Sequence, residues 1–248
     1  VVELPIADVT EVLEKANECW SKSKNDLTKL ELENFTFTNH IFAENINIAK
    51  IPTIKKKSMF ILHSLPDFDN DQLIIEGYVQ KEKLLELRNK VMNNSWFFLI
   101  GTSGSGKTRS LFELFCQIYG IYFTINAENG LKMNLGSKDL DIAINELENY
   151  LTINHEKNTR VALRFTRAMI LGRLFILNKL LEIHSNFTPK QWLLMQLLPC
   201  TNQFWISISY IFRNLKEEDQ NILITDFTEK FKNLIHTQEH LPIAIDES

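Results

Sequence analysis

The chain has 248 residues, of which 44% are hydrophobic and 17 are phenylalanine, so it can bury a sizeable core as one large domain or two small ones. Its formal net charge of −4 argues against a broad nucleic-acid-binding face, because such faces are normally basic. The three cysteines Cys19, Cys116 and Cys200 stand far apart, without the spacing of a metal site or a disulfide framework, and fit a reducing compartment.

Residues 1–66 are predicted to form a small α+β unit. Asp8 can cap the helix that follows it, and residues 58–62 have the composition of a strand. The acidic stretch 67–71 is the best candidate for a linker to the rest of the chain. Because the sequence starts at Val1 and not at Met, we expect the natural N-terminus to lie upstream.

The segment 101–108, Gly-Thr-Ser-Gly-Ser-Gly-Lys-Thr, matches the phosphate-binding loop pattern G-x-x-x-x-G-K-[ST] at every required position. Its glycines let backbone N–H groups turn toward an anion, Lys107 can reach the outer phosphates, and the Thr108 hydroxyl can ligate Mg²⁺. The apolar run 96–100 is predicted to be the strand that feeds this loop, and residues 108–116 the helix whose N-terminus holds the phosphates. The alternative is a glycine-rich turn without a ligand.

Arg109 follows the loop directly and is expected to face the phosphates or to pair with Glu113, four residues on. We include it among the residues predicted to bind the nucleotide. These are Gly101, Thr102, Ser103, Gly104, Ser105, Gly106, Lys107, Thr108 and Arg109.

Beyond the loop helix, the pattern is mostly helical. Residues 121–125 are predicted to form a second core strand, and Ser137 to cap a helix. Residues 160–236 are almost all helix, with Thr188-Pro189 as a strong start signal. Strand, loop, helix, strand and a final strand at 242–245 predict an α/β fold: a doubly wound parallel sheet with a large helical insertion.

The uncharged stretch 191–212 raises the question of a membrane span. Pro199 and the polar residues 201–203 interrupt it, so neither half reaches the ~20 apolar residues that a span requires. We therefore predict buried helices in this stretch and no membrane partner.

An acidic pair follows the last apolar run of the chain, as in a Walker B segment. Asp246 is predicted to position Mg²⁺ together with Thr108, and Glu247 to polarise the attacking water as a general base, with Lys107 as the second catalytic residue. The Asp-Glu pair favours the catalytic-glutamate division of P-loop proteins over kinases and GTPases. A competing apolar run ends at Asp226, but helical periodicity there predicts a helix with this carboxylate in solvent.

The run 96–109, closed by Gly-Ile-Tyr-Phe-Thr at 120–124, resembles the NTPase region of Crinkler-type effector proteins of plant-associated oomycetes and fungi. The helical stretch with Pro189, Trp192 and Gln196 is similar to that family too. The order G-T-S-G-S-G-K-T-R is more specific than the generic loop, and the resemblance is sharpest over the loop region and the acidic pair.

The resemblance implies a ubiquitin-like header at 1–66, without its first strand, and a P-loop NTPase domain at 67–248 that stops after the Walker B segment. ATP and Mg²⁺ are the expected cofactors, and a host protein the expected macromolecular target. In the family, the intact protein is secreted and delivered into a host cell, often its nucleus. Nucleic acid would be a partner only through a C-terminal module that this sequence does not contain.

Three functional interpretations remain open from the sequence. The first is an ATP-hydrolysing switch, in which hydrolysis changes the conformation. The second is a nucleotide-binding interaction module with negligible turnover. The third is a protein-interaction fragment whose phosphate pocket is degenerate. The sequence leaves the base preference and the oligomeric state open.

Overall fold

A computed structural model describes residues 5–27, 33–34, 43–54, 57–66, 68–69, 72–73, 81–102, 105–125, 128–129, 132–133, 135–184, 186–198 and 201–246. Contacts divide the chain into two compact units, residues 1–27 with 119–248 and residues 28–118. We call the first the helical unit and the second the loop unit. This division differs from the predicted boundary after residue 66, because the first helix packs within the helical unit.

The helices are α1 Val9–Leu27, α2 Ala43–Ile48, α3 Lys81–Asn93, α4 Lys107–Gln117, α5 Asp139–Leu147, α6 His155–Ile183, α7 Pro189–Leu197, α8 Asn202–Arg213 and α9 Glu217–Leu234, with 3-10 turns at Phe60–Leu62 and Glu148–Tyr150. The strands are β1 Glu33–Asn34, β2 Pro52–Ile54, β3 Lys57–Ser58, β4 Phe68–Asp69, β5 Gln72–Leu73, β6 Ile121–Thr124, β7 Glu128–Asn129, β8 Lys132–Met133 and β9 Ile243–Asp246.

The predicted doubly wound parallel sheet is wrong. Most of the described residues are helical, and among them the only parallel pairing joins β6 to β9. Residues 96–100, which were predicted to be a strand, do not form one. Trp96, Phe98 and Ile100 are instead 84%, 77% and 89% exposed. A short apolar run indicates a preference for burial, but a strand also needs a partner backbone, and in the described part of the chain this run has none.

Two helices of the helical unit, α1 and α7, begin at the capping residues that the sequence predicts. Thr10 donates its backbone N–H to Asp8 Oδ1 over 2.8 Å, which confirms the predicted cap of α1. At α7, Gln191 N–H donates to Thr188 Oγ1 at 3.2 Å while Thr188 N–H donates to Gln191 Oε1 at 2.9 Å. This capping box, with Pro189 at the first helical position, confirms the predicted start.

The core of the helical unit lies where β6 packs on α6. Ile121 and Phe123 of β6 are buried against Met169 and Leu174 of α6. The 29-residue α6 also packs along α8 and α9, and α1 packs on α8. Because β6 is buried at all four positions, it has the continuous apolar character of a parallel core strand.

The two strands of this core run parallel, in a register from Ile121 opposite Ile243 to Thr124 opposite Asp246. Helix α7 occupies the other edge of β6. Tyr122 N–H donates to Gln196 Oε1 at 3.0 Å, and Gly120 O accepts from Trp192 Nε1 at 2.8 Å and from Gln196 Nε2 at 3.0 Å. Side chains of a helix therefore satisfy backbone groups that a further strand would otherwise pair.

In its described residues, the loop unit combines short antiparallel strands with the three helices α2, α3 and α4. The order β1-β2-β3 makes one small sheet, and β4 pairs with β5. Helix α4 packs against α3 and buries Phe112, Leu114 and Phe115. The predicted strand at 58–62 is wrong, because only its first residue belongs to β3 and residues 60–62 form a 3-10 turn. Of the predicted linker, residues 67, 70 and 71 lie outside the described residues.

Candidate functional site

The predicted phosphate loop ends in a helix N-terminus without a side-chain cap. Gly106 occupies the N-cap position of α4 in the left-handed conformation, with φ 84°, and no side chain accepts from the first turn. Ser105 N–H donates to Thr102 O over 3.2 Å, which turns the chain just before the helix. Because the first N–H groups of a helix lack intrahelical acceptors, this end carries donors and partial positive charge for an anion.

Lys107 places its ammonium group beside the loop. Its Nζ donates to Gly101 O at 2.8 Å and to Thr102 O at 3.0 Å, in solvent-exposed hydrogen bonds. The nearest groups to this cation in the loop are thus neutral carbonyls, and Thr108 follows it in the first turn of α4. The predicted residues Ser103 and Gly104 lie outside the described part of the chain.

The loop is tight at its first glycine. A Cβ at Gly101 would come within 2.7 Å of Ser105 Oγ, a side chain that would have to move. At Gly106 the same addition meets nothing within 4 Å, so that position requires glycine for its backbone angle alone. Both predicted glycines therefore have a structural reason in the geometry of the loop.

Arg109 makes its hydrogen bonds to protein groups outside the loop. Its Nε donates to Glu113 Oε1 at 2.7 Å, which confirms the predicted pair, and its other donors bond the carbonyls of Ile61, His63 and Ser64 at 2.6–2.8 Å. Four hydrogen bonds to protein groups leave the guanidinium directed at this turn. We therefore do not include Arg109 in the phosphate site.

Asp246 lies at the carboxyl end of β9, as a Walker B residue does. It is 8% exposed, and its Oδ2 accepts from the Tyr122 hydroxyl at 2.9 Å. Glu247 lies outside the described residues. The loop belongs to the loop unit and Asp246 to the helical unit, so the predicted sharing of one Mg²⁺ by Thr108 and Asp246 stays a prediction.

The sequence analysis missed a buried polar cluster in the helical unit. Arg173 is fully buried, and its Nη1 donates to Asp139 Oδ2 at 2.6 Å, while Nη2 donates to Asp139 Oδ1 at 3.0 Å and to Ser137 Oγ at 2.7 Å. The guanidinium lies 4.1 Å from the centre of the Phe123 ring and 4.9 Å from that of Trp205. The sequence signal that could have identified this cluster is Arg173 itself, an arginine that stands within an apolar stretch of a predicted helix.

This cluster corrects the predicted cap at Ser137. Lys138 occupies the N-cap position of α5, and the Ser137 hydroxyl instead donates to the Asp139 carboxylate. Burial acts to raise the pKa of Asp139, but attraction to Arg173 and the hydrogen bonds from Arg173 and Ser137 outweigh it and hold that pKa below its ordinary value. Because Arg173 is paired with a carboxylate and stacked on two aromatic rings, the cluster indicates a structural role.

In the ranges that the structure describes, no group of three or more His, Cys, Asp and Glu side chains is arranged to hold a metal ion. No described helix combines the length and the apolar character needed to cross a bilayer.

Comparisons with protein-family models, with curated proteins and with solved structures gave no match to this chain. The resemblance to Crinkler-type effectors therefore stays a prediction from the residues of the sequence. The geometry of the loop, rather than a relative, carries the functional argument.

Proposed function

We propose that residues 101–108 and the N-terminus of α4 bind the phosphates of ATP, in a P-loop NTPase region that uses Mg²⁺. The observation that carries the proposal is the Lys107 ammonium group, held by two neutral loop carbonyls at an uncapped helix N-terminus. A phosphate would offer this cation and the α4 amides a stronger, charged acceptor. The donors present therefore fit a phosphate group.

The proposed roles follow the chemistry of each group. Lys107 neutralises the outer phosphates, the first amides of α4 bind their oxygens, and the Thr108 hydroxyl is a ligand for Mg²⁺. Bound Mg²⁺ supplies further neutralisation of phosphate charge. Gly101 allows the close approach of Ser105 within the loop, and Gly106 supplies the left-handed backbone angle that turns the loop into α4.

Hydrolysis is the second part of the proposal. Glu247 would accept a proton from the attacking water, and Asp246 would hold the metal. Asp246 ends β9, which pairs in parallel with the buried strand β6, and the carboxyl end of a parallel strand is the position expected of a carboxylate that serves a phosphate site. Binding without turnover is the alternative, favoured by the hydrogen bond that already engages the Asp246 carboxylate.

The family resemblance adds a proposal about context. A Crinkler-type effector would be secreted and would meet a host protein inside the host cell. Its support is the run of loop residues from 96 to 109 and the closing motif at 120–124.

Substitution of Lys107 by Ala tests the phosphate site. Because hydrogen bonds to charged groups contribute about 1.5–3 kcal/mol, we expect MgATP affinity to fall about 10- to 100-fold in isothermal titration calorimetry. Lys90→Ala is the matched control, since Lys90 is an exposed helical lysine of the same unit, paired with Glu86 at 2.5 Å. Unchanged affinity in Lys107→Ala, or an equal loss in both variants, would exclude the phosphate site.

Substitution of Glu247 by Gln separates hydrolysis from binding. If Glu247 is the general base, phosphate release should fall about 10²-fold or more while MgATP affinity stays within a factor of two to three. The measurement is steady-state release of inorganic phosphate, with Lys107→Ala as the background. Equal rates in wild type and Glu247→Gln would contradict the proposed base and leave nucleotide binding as the function.

A further inference from the structure

Arg109 connects the first turn of α4 to a distant turn of the same unit. Its Nη1 donates to Ile61 O at 2.8 Å and to His63 O at 2.6 Å, and its Nη2 donates to Ser64 O at 2.7 Å. Nε completes the set with Glu113 Oε1 at 2.7 Å. The planar guanidinium thus spans three backbone carbonyls that a lysine ammonium could not bridge in the same way.

The carbonyls that Arg109 binds lie at the end of a short 3-10 helix, where the helix itself supplies no N–H donors for them. The 3-10 turn Phe60–Leu62 stops where Ser64 adopts a left-handed backbone with φ 49°, and carbonyls at such an end have no partners further along the helix. Arginine side chains satisfy carbonyls of this kind. Met59, Leu62 and Leu65 are buried, so the turn is anchored on its inner side.

The same turn is attached to α2. His63 Nε2 lies 2.6 Å from Ala49 O, one residue beyond the end of that helix, and Lys50 follows with φ 49°. Met59 N–H donates to Pro52 O at 2.8 Å, which connects the turn to β2. The described residues 49–54 and 57–64 are therefore connected by hydrogen bonds, and the guanidinium of Arg109 bonds this segment to α4.

The start of α4 has no hydrogen bond from a capping side chain, and Gly106 at the N-cap position has no side chain. Arg109, two residues after Lys107, is the residue whose hydrogen bonds attach this first turn to the segment 59–64. A ligand that requires the α4 amides in one orientation also favours the state in which these bonds are made.

We propose that Arg109 is a positioning residue that couples phosphate occupancy of the loop to the order of the turn 59–65. The inference rests on the proposed nucleotide binding, and it assigns regulation to the same site. Linkage makes the coupling reciprocal: nucleotide stabilises the turn, and a partner that holds the turn in place strengthens nucleotide binding by the same factor. The turn 59–65 is then the readout of the nucleotide state.

Hydrogen exchange with mass spectrometry on the full chain tests the coupling, with MgATP as the probe. In wild type we expect saturating MgATP to slow exchange of the amides in 105–110 and, about fivefold or more, of those in 59–65. The amides of Met59 and Leu62, which donate to Pro52 O and Met59 O, are the reporters within the turn.

Arg109→Lys keeps the charge but not the fork, and should retain the protection at 105–110 while losing that at 59–65. We expect its MgATP affinity to fall about 5- to 10-fold, the low end of ordinary coupling. Glu113→Gln is the control that removes the ion pair but leaves the carbonyl contacts, and it should keep the response at 59–65.

The outcomes separate this inference from the proposed function. No MgATP protection at 105–110 in wild type overturns both. Protection at 105–110 without a change at 59–65 overturns the coupling alone, whatever the variants do. Complete loss of binding in a folded Arg109→Lys protein would make Arg109 a phosphate ligand and overturn its positioning role.

Discussion

Two cations, one in each unit, show how different surroundings give similar groups different uses. Arg173 of the helical unit is fully buried, paired with a carboxylate and placed over two aromatic rings. Lys107 of the loop unit is partly exposed and makes solvent-exposed hydrogen bonds to two neutral carbonyls. The first cation has its charge compensated inside the core, whereas the second is bonded to uncharged groups, which is the arrangement that the proposed phosphate binding requires.

The same contrast holds for Gly106 and Gly136, the two glycines that have positive φ in the described part of the chain. Gly136, with φ 130°, is packed so closely that a Cβ would lie 2.3 Å from Thr124 Cγ2 and 3.0 Å from Thr124 Cβ. Gly106, with φ 84°, has open space on that side. One glycine serves close packing beside β6, and the other serves the turn into α4.

The largest expected effect comes from breaking the buried pair. Asp139→Asn leaves the Arg173 charge in the core without its counter-ion, and we expect the free energy of unfolding to fall by about 3–5 kcal/mol. Lys107→Ala, by contrast, should change it by less than about 0.5 kcal/mol, as surface substitutions do. Urea unfolding followed by circular dichroism at pH 7 measures both.

Lowering the pH should reduce the difference in unfolding free energy between wild type and Asp139→Asn. Because the folded pKa of Asp139 lies below its unfolded value of about 3.9, its contribution to stability is complete above that pH and is lost as the pH falls through the folded pKa. Asp139→Asn has no such group, so the gap between the two proteins should narrow below about pH 4. A gap that stays constant from pH 7 to pH 3 would contradict the charged pair.

A smaller effect is expected from substitution of the two glycines. Gly136→Ala combines a strained backbone with a clash against Thr124, and we expect a loss of about 2–4 kcal/mol. Gly106→Ala meets only the backbone cost of the left-handed region, about 1–2 kcal/mol. The measurement is the shift of the thermal unfolding midpoint. Equal shifts would show that close packing adds nothing at Gly136.

The sequence predicted the local elements well where several signals coincided. The cap and proline at Thr188 and Pro189 gave the start of α7, and the helical period around Asp226 gave α9. The apolar runs at 121–125 and 242–245 became β6 and β9. In each case, backbone preference and side-chain burial favour the same conformation, so the local pattern was sufficient.

The sequence failed where the outcome depended on distant partners. Residues 96–100 have the composition of a strand, yet pairing is decided by another segment, which no local pattern specifies. The carbonyl partners of Arg109 lie 45 or more residues earlier in the chain, and the hydrogen-bond partners of Arg173 lie 34 or more residues earlier. Long-range hydrogen bonds of this kind have no period in the sequence.

The edge of β6 that α7 covers has a consequence for association between molecules. An uncovered edge offers its N–H and C=O groups to any extended chain and so invites aggregation. Here Trp192 and Gln196 already use Gly120 O and the Tyr122 amide, inside the protein. A foreign strand would have to break three buried hydrogen bonds before it could template a fibril on this side.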